Sequence, residues 1–213
     1  MQSSRPQILT TKALATAARE LASRDQTLAS IFTTHGNPPF WKRNAGFPTL
    51  VHIILEQQVS LKSGKAMFDR LNAAIQPFAP DQFVSRGEMY LRSLGVTRQK
   101  SAYLVHLAML LTSGELDLTK LAKLGDLEAR AALMQVKGIG LWSADVYLLM
   151  AMRRADIWPA GDLALAVAAQ ELLGLKQRPT PEQLEELAER WRPLRAVAAR
   201  MLWQHYLAKR TKS

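Results

Sequence analysis

The segment "ALMQVKGIGLWSADVYLL", Ala132 to Leu149, constrains this chain more than any other stretch. Apolar residues recur at helical spacing on both sides of Lys137-Gly138-Ile139-Gly140, so the segment reads as helix, tight turn, helix. Two glycines can take backbone angles closed to other residues and leave the chain uncovered. The second helix then turns its free N–H groups outward, and such a helix start suits an anion such as a DNA phosphate. Lys137 adds positive charge beside it. A bare Gly-x-Gly serves an ordinary helix corner equally well, so the flanking sequence has to decide between the two.

Around the hairpin the periodicity is helical nearly throughout. "TTKALATAARELASR" puts Leu14, Ala17, Ala18 and Leu21 on one face behind capping threonines. "FPTLVHIILEQQVS" carries Pro48 in its first turn, and "TRQKSAYLVHLAMLLTSG" runs from a Thr97 cap to a stop at Gly114. "TPEQLEELAERW" opens with a Thr180–Gln183 capping box and Pro181 at the first helical position. No segment alternates strictly between apolar and polar residues, and no tight hairpin dipeptide separates β-branched runs. The fold class is therefore all-α, with ten or more helices. His35 to Pro48, "HGNPPFWKRNAGFP", is the most irregular stretch and is expected to be a loop; the tail "LAKRTKS" is expected to be a frayed basic end.

Charge narrows the partner. Lys plus Arg exceed Asp plus Glu by 28 − 18 = +10, a balance that favours a polyanion, nucleic acid above all. The absence of cysteine excludes disulfides, a thiolate-held iron–sulfur cluster and a thiol nucleophile. The four histidines have no metal-ligand spacing. "MQSSRPQILT" lacks the apolar core of a signal peptide, and no apolar run approaches the roughly 20 residues of a membrane span. The expectation is a cytoplasmic, nucleoid-associated protein with no membrane partner.

Five stretches resemble one family. "LMQVKGIGLWSADV" is similar to the hairpin of the helix-hairpin-helix DNA glycosylase superfamily, and "WPAGDLAL" resembles its Gly/Pro-rich loop with Asp162 at the catalytic aspartate position. "LVHIILEQQVSLKSGKAM" resembles the helix ending in a Gln-Gln-x-Ser turn, "LGVTRQKSAYLVHLA" the Leu-Gly…Lys…Leu-Ala segment, and "ERWRPLRAVAARMLWQHY" the C-terminal helix. The resemblance runs from about Phe47 to Tyr206. It implies a two-lobed all-α glycosylase fold with the active site in a cleft between lobes. One lobe would hold about 1–46 and 162–213, the other about 47–161 with the hairpin at 134–145, together forming one glycosylase domain over 1–213.

The branch follows from one position. Lyase-active members carry a lysine two residues after the second hairpin glycine, whose amine attacks the sugar; here that residue is Trp142. Tryptophan there resembles the 3-methyladenine DNA glycosylase II type, which hydrolyses the base–sugar bond and leaves an abasic site. The expected partner is double-stranded DNA containing alkylated bases, 3-methyladenine first and 7-methylguanine after it, and the chain is expected to act as a monomer. Such a cationic base leaves easily, so one carboxylate suffices to stabilise an oxocarbenium-like transition state or orient water, and the target must be flipped from the duplex. The competing readings are a non-catalytic hairpin DNA-binding protein and a glycosylase for oxidised or mismatched bases.

The residue roles follow from the same resemblance. Asp162 is the catalytic carboxylate, and it also precedes "LALAVAAQELLG" as a helix N-cap; the two roles are compatible because a capping aspartate is held rigid. Trp142 and Trp203 are the walls of the base pocket, with Trp191 and Trp41 behind them as candidates. Val146 stands where family members place a pocket tyrosine, with Tyr147 adjacent but facing elsewhere. Gln58 takes the position that fills the gap left by the flipped nucleotide. Gly138, Gly140 and Lys137 meet the phosphate, joined by Lys62, Lys65, Arg98 and Lys100. No cofactor is implied beyond a structural Na+ or K+ held by the main-chain carbonyls of Met134, Val136 and Gly138.

Overall fold

A computed structural model describes residues 6–210 of the 213; the Thr211–Ser213 end of the basic tail and the Met1–Arg5 start of "MQSSRPQILT" lie outside the described residues. The described residues form twelve helices: α1 (Thr11–Arg24), α2 (Gln26–His35), α3 (Phe47–Glu56), α4 (Leu61–Ala74), α5 (Pro80–Ser93), α6 (Arg98–Ser113), α7 (Leu118–Leu121), α8 (Asp126–Met134), α9 (Leu141–Met150), α10 (Leu163–Leu173), α11 (Pro181–Glu189) and α12 (Arg195–Arg210). Among the described residues, β-structure amounts to a single antiparallel bridge between Ile8 and Arg154. Among the described residues no helix is long and apolar enough to cross a membrane.

The caps lie where short polar side chains precede apolar runs. Thr10 accepts from Ala13 N–H, Thr97 from Lys100 N–H, and Thr180 and Gln183 exchange the two bonds of a capping box. Gly114 closes α6 in the left-handed conformation. Gln57 ends α3 earlier than "FPTLVHIILEQQVS" suggests, because Gln58 turns to φ +56° and Ser60 starts α4 by accepting from Ser63 N–H.

The described chain divides into two compact units, Arg43–Tyr147 and Pro6–Lys42 with Leu148 onward. The sequence reading sets the second crossing near residue 161, whereas the units part inside α9. The segment after Tyr147 is tied to the N-terminal piece: Leu9 N–H donates to the Arg153 carbonyl (2.8 Å) and Ala155 N–H donates to that of Gln7 (2.9 Å). Further along the same segment, Trp158 packs on Trp191 at 5.5 Å between ring centroids.

In the unit formed by Arg43–Tyr147, α3 is the central element, buried from Phe47 through Leu55 at all but two positions, Pro48 and His52. It packs on α4 and α6, and α5 packs on α6. Phe47, Phe78 and Phe83 meet edge to face or tilted at 4.9–5.9 Å, which fixes the α3–α5 corner. In the other unit α12 plays that part. Every residue from Arg195 to Trp203 is buried, as expected of a helix surrounded on all sides. Its small residues Ala196, Ala198 and Ala199 leave room for α1, α2 and α10 to approach.

Candidate active site

Asp162 terminates the loop before α10 with φ −67° and ψ 119°, and its Oδ1 accepts from Leu165 N–H at 2.9 Å. The same oxygen accepts from Trp203 Nε1–H of α12 at 3.1 Å. Local sequence supplies the first bond, since an aspartate before an apolar helical run caps it. The second comes only from packing of α10 on α12. Asp162 as a whole is only 7% exposed, and these two donors fix the position of its Oδ1. An aspartate held in this way can present charge to a reacting centre without reorganising.

Trp203 therefore does something besides the stacking expected of it. Its indole edge orients Asp162, and only 8% of the residue is exposed. Trp41, from the irregular loop after α2, meets it in a T-shaped contact at 6.3 Å and 71°. Trp191, the other secondary candidate, is 1% exposed and donates through Nε1 to Asp25 at 2.8 Å, so it belongs to the core.

In the other unit the hairpin runs from α8 into α9. Val136 N–H donates to the Leu133 carbonyl (3.1 Å), Ile139 N–H to that of Val136 (3.0 Å), and Ala144 N–H to that of Gly140 (3.0 Å). The two glycines have different reasons to be there. Gly138 has φ +86°, and a Cβ on it would stand 2.1 Å from Cδ2 of Tyr103. Gly140 lies outside the left-handed range, and nothing stands within 4 Å of where its Cβ would be. Conformation demands glycine at 138; open surface is what glycine preserves at 140.

A network holds the turn against α3. Gln57 Nε2 donates to the Gly138 carbonyl at 2.8 Å and to Ser143 Oγ at 2.9 Å. Lys100 Nζ donates to the carbonyls of Leu55 (2.7 Å) and Gln57 (2.8 Å). This corrects the expectation that Lys100 meets phosphate: its ammonium closes the C-terminal end of α3, where the helix dipole favours a cation, and burial lowers its pKa. Lys62, Lys65, Arg98 and Lys137 are exposed, Lys65 with Asp69 at 2.5 Å. Lys137 N–H donates to His106 Nδ1 at 3.2 Å.

Gln58, next to the buttressing Gln57, is exposed in a left-handed turn. Trp142 is half-buried in the first turn of α9, and Arg130 Nε pairs with Asp145 Oδ1 at 2.7 Å, tying α8 to α9. Val146 is buried, and Tyr147 is committed to the interior, its hydroxyl accepting from Gly46 N–H at 2.9 Å while burial raises its pKa. Of the carbonyls expected to hold a monovalent ion, those of Val136 and Gly138 each already accept one hydrogen bond, and a carbonyl keeps a second lone pair for an ion. Among the described residues no group of three or more His, Asp or Glu side chains is placed to hold a metal.

Sequence reasoning passed over Gln57, whose role lies across 81 residues, and Arg200, an arginine within "AVAARML" that is 0% exposed. The charged residue in an otherwise apolar run was the available signal for Arg200; nothing distinguished Gln57 from Gln58.

Two helices joined at a glycine turn, with a capping aspartate downstream, define a helix-hairpin-helix protein. Residues 51–193 match the model of the HhH-GPD superfamily of base excision DNA repair proteins, and the chain belongs to that superfamily. It is 30% identical over 114 residues to a DNA-3-methyladenine glycosylase of Bacillus subtilis, covering 54% of this chain and 38% of the relative. It is 27% identical over 162 residues to DNA-3-methyladenine glycosylase 1 of Schizosaccharomyces pombe, covering 74% and 71%. Among solved structures, a DNA-3-methyladenine glycosidase from Bacillus halodurans superposes with a TM-score of 0.78 at 26% identity, covering 89% of this chain and 88% of that one. The chain spans 38%, 65% and 40% of the lengths of three of the curated relatives it matches.

Proposed function

We propose that this protein is a monofunctional DNA glycosylase that removes alkylated bases, 3-methyladenine first and 7-methylguanine after it, from double-stranded DNA. The observation that carries the reading is Asp162, a nearly buried carboxylate fixed by Leu165 N–H and Trp203 Nε1–H in a chain of the base-excision superfamily. The names borne by the relatives give the lesion its place at the head of the list.

The chemistry asks little of the protein. An N-alkylated purine is cationic, so the N-glycosidic bond breaks with its electron pair going to the base, which leaves neutral. Positive charge develops at the sugar carbon, where the Asp162 carboxylate stabilises it. Water then forms the new C–O bond and releases its proton, to the carboxylate or to solvent. Trp142 stands where a lyase would need an amine, so no covalent sugar–enzyme adduct forms in this reading. Trp142 and Trp203 are assigned to the base, Gln58 to the gap in the duplex, and Gly138, Gly140 and Lys137 to phosphate. A monovalent cation on the carbonyls of Met134, Val136 and Gly138 would reinforce the turn's hold on that phosphate. The protein acts as a monomer at the nucleoid.

The test incubates methylated DNA with wild type and Asp162→Asn and measures free bases. Asparagine caps a helix about as well as aspartate, so folding is kept while the charge is lost. Release of 3-methyladenine by wild type, reduced about a hundredfold or more in the variant, is expected from the loss of about 2.7 kcal/mol or more of transition-state stabilisation. No release by either, with equal DNA affinity, would reduce the hairpin to a DNA grip.

A further inference from the structure

The loop that ends at Asp162 is fastened to α12 at both ends. At the Asp162 end the fastening is the bond from Trp203 Nε1–H. At the other end it is Arg195, the first residue of α12, which is 8% exposed. Arg195 donates to Asp156 three times: from its main-chain N–H to Oδ1 at 3.3 Å, from Nε to the same oxygen at 3.1 Å, and from Nη2 to the main-chain carbonyl at 2.8 Å. Its Nη1 donates to Glu189 Oε1 at 3.0 Å. Beside it Ala196 N–H donates to the Ala155 carbonyl at 3.0 Å, and Arg192 Nη1 donates to the second Asp156 oxygen at 2.6 Å. A planar guanidinium that meets the side chain and the main chain of one residue fixes that residue's orientation as well as its place.

The loop needs such a fastening because it is not taut. Arg195 and Trp203 stand eight residues apart on α12, a rise of about 12 Å. The six residues from Asp156 to Asp162 can extend over about 20 Å, so stretching does not set their path. Ile157 and Trp158 are buried, Trp158 against Trp191 at 5.5 Å. Gly161 then turns at φ +75°, and Asp162 N–H donates to the Pro159 carbonyl at 3.2 Å. With the first residue of the loop held and its middle buried, the slack closes in one way, and the carboxylate arrives at Trp203.

We infer that Arg195 is a positioning residue for Asp162, acting through Asp156 and the loop between the two aspartates. The inference rests on the glycosylase reading and deepens it: α12 serves as a ruler that sets the carboxylate from both ends of its loop. Arg195 touches neither base nor sugar on this account. It governs how fast a bound base is released and leaves DNA affinity to the hairpin.

The experiment compares wild type, Asp156→Asn and Arg195→Lys, with thermal melting of each as control. Asp156→Asn is the milder change, since it keeps the main-chain carbonyl on Nη2; Arg195→Lys keeps the charge and loses the planar fork. The first readout is the indole N–H resonance of Trp203 among those of the five tryptophans, assigned with Trp203→Phe. It should move in both variants towards its position in Asp162→Ala, where the acceptor is gone. The second is single-turnover release of 3-methyladenine, which should fall about ten- to a hundredfold, as misplacement by about 1 Å does, while affinity for abasic duplex stays within about twofold. A resonance that stays in place overturns the inference, as does one that moves while release keeps the wild-type rate, or a loss of release no greater than the loss of folded protein. If wild type releases no base, the glycosylase reading fails and the resonance alone decides: displacement in both variants upholds the fastening, and an unmoved signal overturns it.

Discussion

Replacing Gly138 by alanine tests the account of the hairpin most directly. At φ +86° an L-residue is disfavoured by about 1–2 kcal/mol. The added methyl would stand 2.1 Å from Cδ2, 2.4 Å from Cγ and 2.5 Å from Cε2 of Tyr103. Carbon atoms pack best at roughly 3.5–4 Å, so ring and turn would have to separate by more than about 1 Å, and overpacking of this kind costs about 1–3 kcal/mol. Alanine's smaller unfolded-state entropy returns at most about 1 kcal/mol. A net loss near 3 kcal/mol follows, equivalent to about 6–12 °C in Tm for a chain of this size. Gly140→Ala meets neither obstacle and should change stability by less than about 1 kcal/mol, while its methyl intrudes on the surface assigned to phosphate and weakens DNA binding. Urea unfolding and fluorescence anisotropy on duplex DNA separate the two effects. Tyr103→Ala provides the control, because without the ring Gly138→Ala should cost only its backbone share, about 1–2 kcal/mol. A loss below about 1 kcal/mol in the wild-type background, an undiminished loss without Tyr103, or an equal loss at Gly140 would refute the reasoning.

Two further outcomes are expected. Lys100→Met should cost about 1.5–3 kcal/mol, because it removes charged hydrogen bonds to the carbonyls of Leu55 and Gln57. It should leave the slope of log affinity against log salt unchanged, whereas Lys137→Met should reduce that slope by about one phosphate contact; an equal reduction by Lys100→Met would restore Lys100 to the DNA face. His52 and His205 are both held below their ordinary pKa, chiefly by burial. The folded protein therefore resists protons that the unfolded chain accepts, so the stability they contribute is present above about pH 6.5 and is lost as pH falls through their folded values. Melting temperature should drop between pH 7 and pH 5, and less so in His52→Gln/His205→Gln; an identical drop in that variant would show that other groups are responsible.

What the sequence determined by itself is local. Thr10, Thr97, Thr180 and Asp162 each cap a helix through a partner three residues on, within the reach of one side chain along one helix turn, so residue type and spacing suffice to read them. The Gly138 turn was legible for the same reason, and with the order of the flanking motifs it carried the family. The tertiary structure decided the rest. It gave Lys100 to α3 across 45 residues and Gln57 to Gly138 across 81. It also gave Trp203 to Asp162 across 41 and Arg200 to the loop of Trp41 across 160. In each of these pairs the donor is an ordinary lysine, glutamine, tryptophan or arginine with many carbonyls and carboxylates to choose from. Which one it meets depends on how whole helices pack, and that is settled by burial of apolar faces far from the pair itself.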